Sequence, residues 1–120
     1  MAGYTTTNPT TGRTDTEFTT LTDSGVQDVL SRSHAAFPDW RATSADERAA
    51  VLARVADVYD ARAEELAQLI ATEMGKPLQQ GLEEARLAGS IYRWYATHGP
   101  ELLRDEQLDP QGVKESLVQT

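Results

Sequence analysis

A chain of 120 residues with 39% hydrophobic and 25% charged side chains has the make-up of one ordinary globular domain, or of a piece of a larger one. Acidic residues outnumber Lys and Arg by 19 to 11, and a formal charge of -8 repels a phosphate backbone, which excludes a nucleic-acid partner. The lack of any cysteine excludes disulfides, thiolate metal sites and a cysteine nucleophile in these residues, and with no apolar run of about 18 residues and no secretory start a membrane span is excluded and a cytoplasmic location expected.

Residues 1–21 are rich in threonine, and Asn8-Pro9-Thr10-Thr11-Gly12 places turn formers between two extended runs, so a short N-terminal β-hairpin is expected, with Tyr4 and Phe18 as its anchors; the competing reading is a polar tail. Thr22 caps a first helix over Asp23 to Ala36, with Val26, Val29, Leu30 and Phe37 at helical spacing. Pro38 is expected to end it, because its ring disfavours helical geometry at the preceding residue and it carries no donor, and Trp40 is expected to fold back onto the apolar stripe.

Ser44-Ala45-Asp46-Glu47 has the spacing of a capping box and starts a second helical run. Leu52, Val55, Tyr59, Ala63, Leu66 and Ile70 mark its core-facing stripe, widened by Val51 and Val58, while Arg54, Asp57, Arg62 and Glu65 point outward. The run is longer than most globular helices, which predicts a break between Asp60 and Ala63. Gly75 ends it and Pro77 suits the first position of the next helix, expected to reach Thr97. That helix is apolar on two sides: Leu78, Leu82, Ala85, Gly89, Tyr92 and Ala96 on one, and Leu87, Ile91 and Trp94 on the other, with Ala85, Ala88, Gly89 and Ser90 permitting close helix approach. Gly99-Pro100 ends or kinks it, Glu101 to Leu108 adds a turn of helix, Asp109 to Gly112 is a turn, and Val113 to Val118 alternates like a half-exposed strand. The fold class expected is therefore mostly α, with a short N-terminal hairpin and a C-terminal strand.

Chemistry-bearing arrangements are few. Gly75-Lys76 lacks the upstream glycine and the following Ser or Thr of a phosphate loop, and the glycines never take a dinucleotide-binding spacing. His34 and His98 lie on separate helices without ligand-spaced partners, so no metal site is expected. Glu64-Glu65 and Glu83-Glu84 are neighbours about 100° apart on a helix and do not converge as an acid/base pair must. Tyr92, Trp94 and Tyr95 suit a ligand tunnel or, more simply, core packing.

The order of short blocks then carries a resemblance. Asn8-Pro9-Thr10-Thr11-Gly12, Ala36-Phe37-Pro38-Asp39-Trp40-Arg41, Glu47-Arg48, Leu66-Ala67, Glu73-Met74-Gly75-Lys76-Pro77 and Tyr92-Arg93-Trp94-Tyr95-Ala96 together resemble the opening of an aldehyde dehydrogenase, and the last two blocks are most similar to bacterial succinate-semialdehyde dehydrogenases. The resemblance implies the N-terminal fragment of an α/β fold: a hairpin over 1–21, helices over 22–108 flanking a cofactor-binding domain, and the start of an oligomerisation strand over 109–120. It implies oxidation of an aldehyde to the carboxylate with NAD or NADP, through a cysteine thiolate that attacks the carbonyl and a glutamate that activates water. Neither group maps onto this sequence, nor do the cofactor-binding strands, so the chain alone is expected to bind no cofactor and to be inactive. A homo-oligomer is implied for the full-length family. Leu87 and Ile91 are the counterparts of positions bordering the substrate tunnel. The alternative function is a non-catalytic helical interaction module, or a truncated remnant without activity of its own.

Overall fold

The computed structural model describes residues 3–108 and 116–118. Two strands, β1 (Tyr4–Thr7) and β2 (Thr14–Phe18), pair antiparallel with Tyr4 opposite Phe18 and a register shift between Thr6 and Thr7. The turn is built by Asn8, whose side-chain oxygen accepts from the Thr10 and Thr11 amides at 2.9 and 3.2 Å while its carbonyl accepts from Gly12, at φ 68. The hairpin expected from the Thr-rich run is therefore formed, but its expected anchors are not buried: Tyr4 and Phe18 face each other across the ladder and remain exposed. What touches the helical part is the turn, since a β-carbon at Gly75 would lie 3.0 Å from Pro9 Cγ.

Helix α1 (Asp23–Ala42) opens on Thr22, whose hydroxyl accepts from the Gly25 amide at 3.1 Å. It does not stop at Pro38 but carries the proline inside and runs on to Ala42. The final turn is held by donors from outside the helical ladder. Thr43 donates to the Trp40 carbonyl through both its amide, at 3.2 Å, and its hydroxyl, at 2.7 Å. Arg48 donates to the carbonyls of Arg41, at 3.3 Å, and Thr43, at 2.8 Å. Trp40 is accordingly part of the helix rather than folded back on its stripe; it is half exposed, with the Arg48 guanidinium carbon 5.8 Å from its ring centre. No residue of α1 is buried.

Helices α2 (Ala45–Ala61) and α3 (Ala63–Met74) meet at Arg62, whose φ of -110 and ψ of 15 break the run where length predicted a break. The capping box at Ser44 is complete, and α3 ends on left-handed Gly75, whose amide donates to the Ala71 carbonyl. Helix α4 (Leu78–Leu102) starts one residue later than the sequence suggested: Pro77, extended, is the cap, and its carbonyl accepts the first helical bond from Gly81. Pro100 lies inside α4 and removes only one donor near its end; beyond it the Leu103 amide closes onto the Gly99 carbonyl at 3.1 Å. The expected extra helical turn up to Leu108 is not there. Glu106–Leu108 forms β3, whose backbone pairs antiparallel with β4 (Ser116–Val118). The turn expected at 109–112 and residues 113–115 of the expected strand lie outside the described residues.

Helices α2 and α3 pack along α4 through the smallest side chains present. Ala56, Ala63, Ala67 and Ala85 are the buried hydrophobic residues described, joined by Gly81 and Gly89. A β-carbon at Gly81 would sit 3.1 Å from the Ala67 carbonyl oxygen, and one at Gly89 would sit 3.1 Å from Tyr59 Cβ. The larger stripe residues Leu52, Val55, Tyr59, Leu66 and Ile70 are half-buried beside the seam, whereas Val58, expected to widen it, is exposed. The molecule is open. Its radius of gyration is 21.2 Å, against roughly 14 Å for a compact chain of this length.

Candidate functional site

Helix α4 is locked to α2 over one turn. Tyr59 and Tyr92 stack with ring centres 5.4 Å apart, and Arg93 reaches across to Asp57 at 3.1 Å and Asp60 at 2.6 Å. These carboxylates, through their hydrogen bonds, with Asp60 first, raise the Arg93 guanidinium above its ordinary pKa and keep it charged. With Gly89 against Ala56 and Tyr59, the rotation of α4 about its axis is fixed by three contacts on the side that faces α2.

That rotation decides where the sequence-predicted tunnel residues point. At about 100° per residue, Leu87, Ile91, Trp94 and His98 fall within roughly 40° of the direction opposite Gly89. Leu87 is 59% exposed, Ile91 49% and Trp94 48%, so this second apolar face of α4 looks outward and uncovered. Along it the Trp94 ring stacks on His98 at 4.5 Å and meets Tyr95 edge-on at 5.0 Å. His98 Nδ1 lies 2.8 Å from the Trp94 carbonyl oxygen and so carries the proton there. Leu87 and Ile91 thus stand together on one wall, with no opposing wall among the described residues.

The remaining polar candidates are engaged in local structure. Gly75 stops α3, and Lys76 pairs with Glu84. Glu83 accepts from Gln79 at 3.1 Å. Glu65 pairs with Arg62, whose hydrogen bond holds the carboxyl below its usual range, so neither adjacent acid pair converges on a common point. Ser90 and Thr97 donate to the carbonyls of Leu87 and Arg93. Among the described residues, no group of three or more His, Asp or Glu could hold a metal ion, and no helix is long and apolar enough to cross a membrane. A cleft of about 600 Å³ lies between α3 and α4 around Gln68, Leu78 and Leu82, away from Leu87 and Ile91, and it is edged by Glu64 and Glu65.

A nicotinamide dinucleotide needs a helix N-terminus with free amides and a glycine turn that lets the backbone approach its pyrophosphate. The described residues do not fit that demand. The N-termini of α1 and α2 are filled by Thr22 and by Ser44 with Glu47, α3 opens with Glu64 and Glu65, whose charge repels a pyrophosphate, and α4, though no side chain caps it, opens on Pro77 where the motif has a glycine. Gly81 and Gly89 are consumed in helix packing.

Sequence reasoning did not single out Gly81, the Arg93 bridge or the Tyr59–Tyr92 stack. The signal for Gly81 was its four-residue spacing to Ala85 and Gly89, which places all three on one helical line; the bridge joins residues far apart in sequence and left no local trace.

A family model described as the aldehyde dehydrogenase family matches residues 2–120. Succinate semialdehyde dehydrogenase Sad of Escherichia coli, an NAD(P)+ enzyme by its name, is 39% identical over 102 residues, covering 82% of this chain and 21% of its own length. The solved structure of Gox0499, described as giving insight into cofactor and substrate selection, superposes with a TM-score of 0.90 at 31% identity, over 98% of this chain and 26% of that one. Succinic semialdehyde dehydrogenase of Streptococcus pyogenes, solved with NADP+, gives a TM-score of 0.86 at 29% identity, over 95% and 25%. The chain thus spans about a quarter of the length of the proteins it matches.

Proposed function

The chain belongs to the aldehyde dehydrogenase family, and from that premise we propose that it forms the N-terminal part of a cytoplasmic, homo-oligomeric enzyme oxidising succinate semialdehyde to the dicarboxylate with NAD+ or NADP+. The observation that carries the reading is the family match over residues 2–120; the substrate is supported by the names of the Escherichia coli relative, at 39% identity, and of the Streptococcus pyogenes structure, at 29%. In this assignment residues 1–21 are a surface hairpin, 22–108 flank the cofactor-binding domain, and 109–120 begin the oligomerisation sheet.

Covalent oxidation of an aldehyde in this way calls for a thiolate to add to the carbonyl carbon, and these 120 residues contain no cysteine. Their part is to position. The α2–α4 lock holds Leu87 and Ile91 at a fixed angle, and in the complete enzyme these two side chains form one wall of the aldehyde's passage, excluding water from it. The cofactor is held by other parts of the enzyme.

Two measurements test the proposal. The transcript beyond the codon for Thr120 should encode, in frame or after a frameshift, the cysteine and glutamate segments of the family; a transcript with neither removes the enzymatic reading. The purified 120-residue chain should reduce neither NAD+ nor NADP+ in the presence of succinate semialdehyde, and turnover by uncontaminated protein would contradict the role given to the missing thiolate. The outward apolar face of α4 also favours a second reading, a non-catalytic module whose helices bind a partner.

A further inference from the structure

We infer that Arg93 is a positioning residue: bridged to Asp57 and Asp60 across the α2–α4 seam, it sets the roll of α4 and with it how far Leu87 and Ile91 stand into the aldehyde's passage. The inference rests on the place given to those two side chains in the proposed function. It adds the residue through which that wall discriminates aldehydes by girth.

The closest approach of the two helices does not itself hold the angle. A β-carbon on Gly89 would lie 3.1 Å from Tyr59 Cβ, 3.2 Å from Asp60 Oδ1 and 3.6 Å from the Ala56 carbonyl oxygen. A glycine has no side chain to lodge in a groove of its neighbour, so this contact limits how near α4 comes and leaves it free to turn over the point of contact.

The angle is settled on the two flanks of that line. At about 100° per residue, Tyr92 lies about 60° to one side of Gly89 and Arg93 about 40° to the other. Tyr92 stands on the ring of Tyr59, 28° from parallel. Arg93 stands on two carboxylates a turn apart on α2, with one nitrogen, Nη2, 3.1 Å from Asp57 and 2.6 Å from Asp60. The helix thus rests on two legs astride a smooth contact, and shortening one leg lets it tip to that side. Because all three charged groups are partly in water, the bridge adds little to stability, and its effect belongs to geometry. The tips of Leu87 and Ile91 stand about 5–6 Å from the helix axis, so a roll of about 10° carries both through about 1 Å. Where a substrate must be aligned, a misplacement of about 1 Å can cost on the order of a hundredfold in rate.

The test has two arms. In the 120-residue chain, residual dipolar couplings of backbone amides oscillate with the helical period, and their phase in α4 relative to α2 reads the roll directly. Arg93→Ala should shift that phase by about 10° or more. Asp57→Asn with Asp60→Asn should do the same from the other side of the seam, and Arg93→Lys, which keeps the charge, should shift it less. A phase that Arg93→Ala leaves in place, in a chain that is only less stable, overturns the inference. In the second arm the chain replaces the 102 matched residues of the Escherichia coli relative. Arg93→Ala should change the ratio of kcat/KM between a branched and a straight-chain aldehyde at least about tenfold, through KM more than kcat, and Arg93→Lys should recover most of the change. Equal losses for both aldehydes overturn the inference, because the residue then serves the fold alone. A hybrid that oxidises other aldehydes and not succinate semialdehyde counts against the proposed substrate, while the ratio still judges Arg93. A hybrid that oxidises none counts against the enzymatic reading, and the phase in the free chain then decides whether Arg93 positions α4.

Discussion

Gly75 serves two geometries at once. Its φ of 69 ends α3, and its missing β-carbon makes room for Pro9 from the hairpin turn. Gly75→Ala should therefore destabilise by more than the about 1–2 kcal/mol of the left-handed conformation alone, and Pro9→Ala should restore part of the excess; denaturant titration of the two single variants and the double variant measures it as a coupling energy. The C-cap half of this role was legible in the sequence, because a glycine before Lys76-Pro77 at the end of a periodic run has few other uses. The Pro9 half was not, since it joins positions 66 residues apart in sequence. Ser44 and Glu47 were legible in full, as capping is a matter of three-residue spacing. The Glu47 carboxylate accepts from the Ser44 amide at 2.7 Å and hydroxyl at 2.8 Å, and these bonds, the backbone one first, hold its pKa below 4.5. A depressed folded pKa stabilises fully above 4.5 and is lost as pH falls through the folded value. Helicity followed downward from about pH 5 should fall in the parent and stay flatter in Glu47→Gln once both are normalised, because only the parent has this protonation to lose.

At the scale of elements the helices differ in what holds them. Helices α2 and α4 share a small-residue seam, an aromatic stack and the Arg93 bridge, whereas α1 has its caps and the Arg48 staple and buries nothing. Amide exchange should accordingly protect α2 and α4 best and α1 least, and equal protection across the three would show that α1 has a partner within the chain. Periodicity exposed the helices, their number and the break near Arg62, because a 3.6-residue repeat is local information. It failed at Pro38 and Pro100. Each proline removes one donor and leaves the rest of the ladder in place, and the end of α1 beyond Pro38 is held by Thr43 and by Arg48 from the next helix, which a local rule does not see. Periodicity also marked Leu87 and Ile91 as a face, and by itself could not tell whether that face was inside or outside; the outcome hinged on Gly81, Ala85 and Gly89 choosing the opposite side for α2 and α3.

For the whole molecule, the open shape and the alanine and glycine seam have a calorimetric consequence. Heat capacity rises on unfolding because buried apolar groups meet water, typically by about 1.2–1.5 kcal/mol/K per 100 residues. Here the buried hydrophobic residues among those described are all alanines, and the leucines, valines and aromatic rings are already partly or largely wet in the native state. Scanning calorimetry of the isolated chain should show an increment well under the usual figure and a shallow stability curve, with cold unfolding as weakly driven as hot. A protein built in this way would denature almost as if it were a string of secondary structure, and the sharpness of its melting would be a property lent by whatever encloses it.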